Sequence, residues 1–111
     1  MRYCQTTILE SGRQGQGVPQ DFAEAMKWYR LAADQGYANA QFNLGWMYEY
    51  GQGVLQDNVM AHMWYNIASA NGNELGGTNR DKRAEKMSPA AIEKAQAMAR
   101  ECMSSNYKKC G

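Results

Sequence analysis

The groups of this 111-residue chain that could carry chemistry are one histidine, three cysteines and a glycine-rich GQGV segment that occurs twice. His62 would serve as a general base or a metal ligand only with suitable neighbours. Asp57 stands five residues away, and no Ser or Cys lies at a catalytic spacing, so His62 reads as a surface or partly buried helix residue. With a single histidine and no CxxC pair, a zinc site is not expected. Cys102 and Cys110, eight apart in ECMSSNYKKC, would form a short bridge pinning the tail to the last helix in an exported protein, and two reduced thiols in a cytosolic one. Both readings stand, and Cys4 is left without a partner. The GQGV segments at 15–18 and 51–54 follow helical rather than strand patterns and lack the third glycine of a dinucleotide fingerprint, so they are turns and not phosphate cradles. No Ser/His/Asp, Cys/His or paired-carboxylate arrangement is present. The expectation is therefore no catalytic residue, no metal and no cofactor.

Composition points the same way. Twelve Lys and Arg against eleven Asp and Glu give a net charge of +1, which offers neither the basic footprint of a nucleic-acid binder nor a polybasic membrane patch. The apolar runs are a few residues long, far short of the roughly 20 that a membrane span needs. Residues 1–14 lack the charged-then-apolar layout of a signal segment. One domain over 1–111 is expected at this length.

The elements that position these groups follow from a repeat. Residues 15–36, GQGVPQDFAEAMKWYRLAADQG, recur 36 positions later as residues 51–72, GQGVLQDNVMAHMWYNIASANG, with half the positions identical. A repeat of this size is one supersecondary unit that cannot cover its own apolar face and must stack on copies of itself. The units are about 1–36, partly degenerate, then 37–72, then 73–111.

In the first copy, Asp21 reads as the cap of a helix that Gly36 ends, with Phe22, Ala25, Met26, Tyr29 and Ala32 on one stripe and Trp28 and Leu31 widening it. Such a stripe predicts burial on more than one side, and Trp28, Tyr29, Trp64 and Tyr65, recurring with the repeat, are assigned to the core. The second copy repeats the scheme from Asp57 to Gly72. Between them, Asn39–Tyr50 forms a helix in which Gly45 admits a neighbouring backbone at close range. Residues 73–87 hold the phase of that helix but carry Gly76 and Gly77, which predicts a frayed start. Ser88 and Pro89 then open a last helix to about Met103, with Ile92, Ala95, Ala99 and Cys102 on one side. It reads as a terminal cap. Residues 1–14 share the phase of the Asn39 helix but match it poorly, with Glu10 in place of Trp46 and Gly12 in place of Tyr48.

The alternation A-x-x-W-Y-x-x-A-A-x-x-G followed by A-x-x-x-L-G-x-x-Y-x-x-G-x-G-V-x-x-D resembles the Sel-one-like repeat family, relatives of tetratricopeptide repeats. Ala25, Trp28, Tyr29, Ala32, Ala33 and Gly36 carry the first half. Ala40, Leu44, Gly45, Tyr48, Gly51, Gly53, Val54 and Asp57 carry the second. The resemblance implies an all-α fold, a right-handed α/α superhelix of helix-turn-helix units with a carboxyl-terminal capping helix. It also implies a non-catalytic adaptor that binds a protein or peptide in its concave groove, as bacterial members do in envelopes or at host interfaces. The compartment stays open between periplasm or secretion and cytoplasm, with a Cys102–Cys110 bridge favouring export. Tetratricopeptide geometry places Asn39, Phe42, Trp46, Glu49 and Tyr50 on the inner surface, extended by Thr78, Lys82, Glu85 and Lys86. Trp46 and Tyr50 are large apolar groups at inward positions, where they serve either as anchors for a peptide or as packing. Two other readings remain: a cell-envelope hydrolase or cell-wall-modifying enzyme on the same scaffold, and self-association through the face of the amino-terminal repeat.

Overall fold

The computed structural model describes residues 18–110, so the expected helix over 1–14 and Cys4 lie outside them. Five helices follow one another: α1 Val18–Ala33, α2 Ala38–Tyr50, α3 Asn58–Ala70, α4 Glu74–Ala84 and α5 Pro89–Ser104. The described residues form an all-α solenoid.

Local chemistry sets the helix ends. Gly36 and Gly72, one period apart, both adopt positive φ (90° and 108°). This lets the next amide reach back, Tyr37 N to Ala32 O at 3.3 Å and Asn73 N to Ala68 O at 2.9 Å, so the two copies leave their helices in the same way. Asp57 caps α3 by accepting from the amides of Val59 and Met60 at 2.9 and 3.1 Å. Ser88 caps α5 by accepting from Ala91 N at 3.1 Å, with Pro89 as the first helical residue. The first copy departs from the expected scheme. Asp21 lies inside the helix Val18–Ala33 and so is not its cap.

Packing centres on α3, which α2, α4 and α5 enclose, while α1 lies on α2. Ala61, Met63, Trp64, Tyr65, Ile67 and Ala68 of α3 are wholly buried. Two glycines make this possible. A Cβ on Gly45 of α2 would stand 2.5 Å from the Tyr65 ring, and one on Gly76 of α4 would stand 2.7 Å from the Tyr65 carbonyl oxygen. Gly76 therefore marks a close approach and not the frayed start its sequence suggested. Asn73 accepts from Gly76 N at 3.1 Å and α4 begins cleanly. The stripe of α1 is narrower than expected: Ala25, Tyr29, Ala32 and Ala33 are buried, but Trp28 is 48% exposed and Leu31 54%. Trp28 thus leaves the predicted core set, because its helix packs mainly on α2 whereas α3 is enclosed by three helices.

The carboxyl-terminal segment closes the stack. Ala95, Ala99 and Cys102 of α5 are fully buried, and Cys102 is bonded to Cys110 with the Cα atoms 4.3 Å apart. The bridge holds Tyr107 over the helix ends, where its hydroxyl accepts from Asn71 Nδ2 at 3.0 Å. The same Asn71 amide donates to Gln41 Oε1 at 2.8 Å, and the buried Gln41 donates to Ala33 O at 3.0 Å. One chain of hydrogen bonds thereby links α1, α2, the end of α3 and the tail.

Two outcomes follow for denaturant unfolding. Gly45→Ala and Gly76→Ala should each lower stability by about 1–3 kcal/mol through overpacking, with the backbone contact at Gly76 the less able to relax. Either variant matching the parent would refute the close approach. Reduction of the bridge should lower stability by about 2.5 kcal/mol for a loop this short in the chain-entropy picture. An unchanged midpoint in dithiothreitol would show that the tail is held without it.

Candidate functional site

A groove of about 300 Å³ opens between α1 and α2. Phe22, Ala25 and Tyr29 form its α1 wall; Phe42, Asn43, Trp46 and Met47 form its α2 wall. The 3.6-residue period places 22, 25 and 29 on one face of α1, and 42, 43, 46 and 47 on one face of α2. Aromatic rings dominate it. Trp46 is half-buried, with its ring 6.2 Å from Phe22 and 5.3 Å from Tyr50 between centroids. Tyr50 continues the stripe outward and is 56% exposed. Phe42 turns its other side to Tyr65, 5.4 Å away.

Two polar atoms interrupt this apolar wall. The Tyr29 hydroxyl and the Asn43 Nδ2 are buried and make no hydrogen bond to the described residues. Burial pushes the Tyr29 hydroxyl up to about 12, so it remains a neutral donor throughout the physiological range.

Of the residues expected on the inner surface, Phe42, Trp46 and Tyr50 come together here. Asn39 is exposed at the start of α2, its Oδ1 accepting from Asn73 Nδ2 at 3.0 Å, and Lys82 is exposed on α4, outside the groove wall. Glu49 is committed to the fold. One carboxylate oxygen accepts from the Tyr65 hydroxyl at 2.5 Å and the other pairs with Arg83 Nη2 at 3.3 Å, with the two charged side chains only 12% and 15% exposed. Removing either charge would strand the other away from water. The pKa of the Tyr65 hydroxyl is raised by burial first and by Glu49 second, with Asn79 acting against them. Phe22, Tyr29, Asn43 and Met47 escaped the sequence reading as site residues, because Phe22 and Tyr29 lie on the same stripe as true core positions. Asn43, a lone amide in an apolar helix stretch, was the available signal.

The first match to the Sel1 repeat model covers residues 11–37 and the second covers residues 38–73. The chain belongs to the Sel1 repeat family. Sel1 repeats act in general as protein-interaction scaffolds. Among solved structures, this Sel1 chain is similar to a protective antigen present in uropathogenic Escherichia coli strains and displaying an SLR fold, with a TM-score of 0.76 and 33% identity. The match covers 88% of this chain and 22% of that one, so the present Sel1 repeats span about a fifth of the longer protein. No curated protein matches the chain. Among the described residues, no three His, Cys, Asp or Glu cluster to hold a metal, and no helix is long and apolar enough to cross a membrane.

His62 sits within the Sel1 core and not at its surface, being 2% exposed with Nδ1 unpartnered. Its pKa is lowered by burial first and by Arg80 second, against an opposing pull from Asp81. The native residue is therefore neutral while the unfolded one protonates near 6.5. As pH falls through about 6.5 the unfolded state gains a proton that the native state refuses, so stability declines until the lower native pKa is reached. His62→Gln should remove this slope from urea midpoints between about pH 7 and 5.5; an unaltered slope would assign it to other groups.

Proposed function

We propose that the chain is a non-catalytic adaptor that takes a segment of a partner protein into the groove between α1 and α2. The observation that carries this reading is the exposed aromatic edge of Trp46 and Tyr50 at the rim of an open apolar cleft. Large rings with few rotatable bonds, set in a concave wall, are the groups that dominate binding energy at protein interfaces. Phe42 supplies the floor, and Asn39 and Lys82 offer polar contacts for a partner that continues past the groove. Glu49 contributes indirectly, by keeping α2 against α4 through Tyr65 and Arg83. The family's general interaction role supports the reading, and the apolar groove is the surface to which it is assigned here.

A peptide-display library panned against the folded chain tests the reading. Selected peptides should bind the parent and lose at least tenfold in affinity to Trp46→Ala and to Tyr50→Ala, with circular dichroism unchanged. Because Trp46 also packs on Phe22, the more exposed Tyr50 decides if Trp46→Ala unfolds. Peptides indifferent to Tyr50→Ala would place the binding surface elsewhere.

A further inference from the structure

Asn71, which joins the tail to α2, stands in the only Asn-Gly pair of the sequence. At such a pair the backbone nitrogen of the glycine can attack the asparagine Cγ, and glycine alone leaves that nitrogen without a Cβ beside it. The new N–C bond forms as the Cγ–Nδ2 bond breaks, and the Gly72 N–H proton departs with the amide as ammonia. Water then opens the succinimide ring at either carbonyl, giving an aspartate or an isoaspartate. The reaction needs no oxidant and no cofactor.

Around this pair the structure leaves the glycine open and holds the asparagine. Asn71 is exposed at the end of α3, and a Cβ on Gly72 would meet nothing within 4 Å. One period earlier stands Gln35–Gly36, where attack would have to close a six-membered ring. Both N–H groups of the Asn71 amide are engaged, with Gln41 Oε1 at 2.8 Å and the Tyr107 hydroxyl at 3.0 Å, while Gly72 N donates to Ser69 O at 3.1 Å. The Asn71 amide cannot turn its Cγ to the Gly72 nitrogen until these bonds open, because attack demands close, aligned atoms.

One of these holds depends on the Cys102–Cys110 bridge. Asn106 and Tyr107 have successive positive φ values of 60° and 66°, a conformation that residues other than glycine keep only where their surroundings impose it. The bridge closes the loop that imposes it, together with the Tyr107 N to Cys102 O bond at 2.8 Å. Reduction lets this loop relax and takes the Tyr107 hydroxyl from Asn71.

The product cannot resume the place of the reactant. Gln41 is fully buried and its Nε2 is committed to Ala33 O at 3.0 Å, so only its oxygen faces residue 71. A carboxylate there sets acceptor against acceptor, and turning the Gln41 amide over would move the same conflict to the Ala33 carbonyl. The Tyr107 hydroxyl can rotate to donate, but the link onward to α2 and α1 is lost.

We propose that Asn71–Gly72 is a deamidation site governed by the Cys102–Cys110 bridge: the oxidised tail holds the amide intact, and the reduced tail releases it to a reaction that unties the tail from Gln41 for good.

The full chain, incubated in mildly alkaline buffer with and without dithiothreitol and then digested at acid pH for mass spectrometry, tests this. Deamidation should appear at Asn71 ahead of every other asparagine, and at least tenfold faster after reduction. The double variant Cys102→Ser, Cys110→Ser should reach the reduced rate without reductant. Tyr107→Phe, with the bridge intact, should raise the rate at least threefold. This variant decides if the reduced chain loses its helical circular dichroism, since an unfolded chain deamidates whatever the tail does. The hold is mutual, and both cysteines are buried, so reductant reaches them only when the tail lifts. Asn71→Asp should therefore speed reduction of the bridge at least fivefold. The proposal is overturned if Asn71 reacts no faster than the other asparagines, or if its rate is the same in oxidised and reduced chains of unchanged helicity. A parent deamidation rate in Tyr107→Phe, or a parent reduction rate in Asn71→Asp, overturns it as well.

Discussion

The Tyr65 ring can be buried only because α2 and α4 come to it without side chains. Gly45 meets its face and Gly76 meets its backbone, so three helices close to a distance that alanine would forbid. The hydroxyl, carried into the interior with the ring, then needs an acceptor, and Glu49 supplies one while its second oxygen pairs with Arg83. Each step follows from the one before. Close approach buries the phenol, the buried phenol recruits a carboxylate, and the carboxylate recruits an arginine, which ties α2 to α4 across α3.

Much of this was legible because a repeat states its packing rules twice. The 36-residue period, the Asp57 and Ser88 caps and the small residue at 45 were all readable from residue type and spacing. What escaped was tertiary. The pair Gly76–Gly77 follows a strong cap and reads as a weak helix start, and only the Tyr65 carbonyl 2.7 Å from a notional Cβ shows why glycine stands there. Trp28 and Trp64 are the same residue in the same motif, yet one is half-exposed and the other wholly buried. The motif specifies a surface and cannot say whether a further helix covers it. His62 was misplaced for the opposite reason. A polar side chain on a helix reads as outward-facing, but α3 is enclosed on three sides and has little outside left.

The residues of α2 fall into two groups, those that hold the scaffold and those whose rings face the groove. Glu49 looked like an inner-surface contact by register and proves to be an internal strut. Phe42, Trp46 and Tyr50, on the same helix, differ in having one side without a fixed neighbour among the described residues. On α2, Gly45 and Glu49 face Tyr65 of α3, whereas Trp46 and Tyr50 stack their rings beside the α1–α2 groove. The tail reinforces this from a distance, since the Cys102–Cys110 bridge, Tyr107, Asn71 and Gln41 link the far end of the chain to the C-terminal turn of α1.

In the proposed function the α1–α2 groove is where this protein meets its partner. Two-dimensional NMR of the isotope-labelled chain, titrated with a bound partner segment, reports on it residue by residue. The Trp46 indole N–H and the Asn43 side-chain amide should move first and furthest, with α1 amides near Tyr29 following and those of α5 unmoved. Shifts centred on α4 and α5, with the Trp46 and Asn43 signals unchanged, would contradict it.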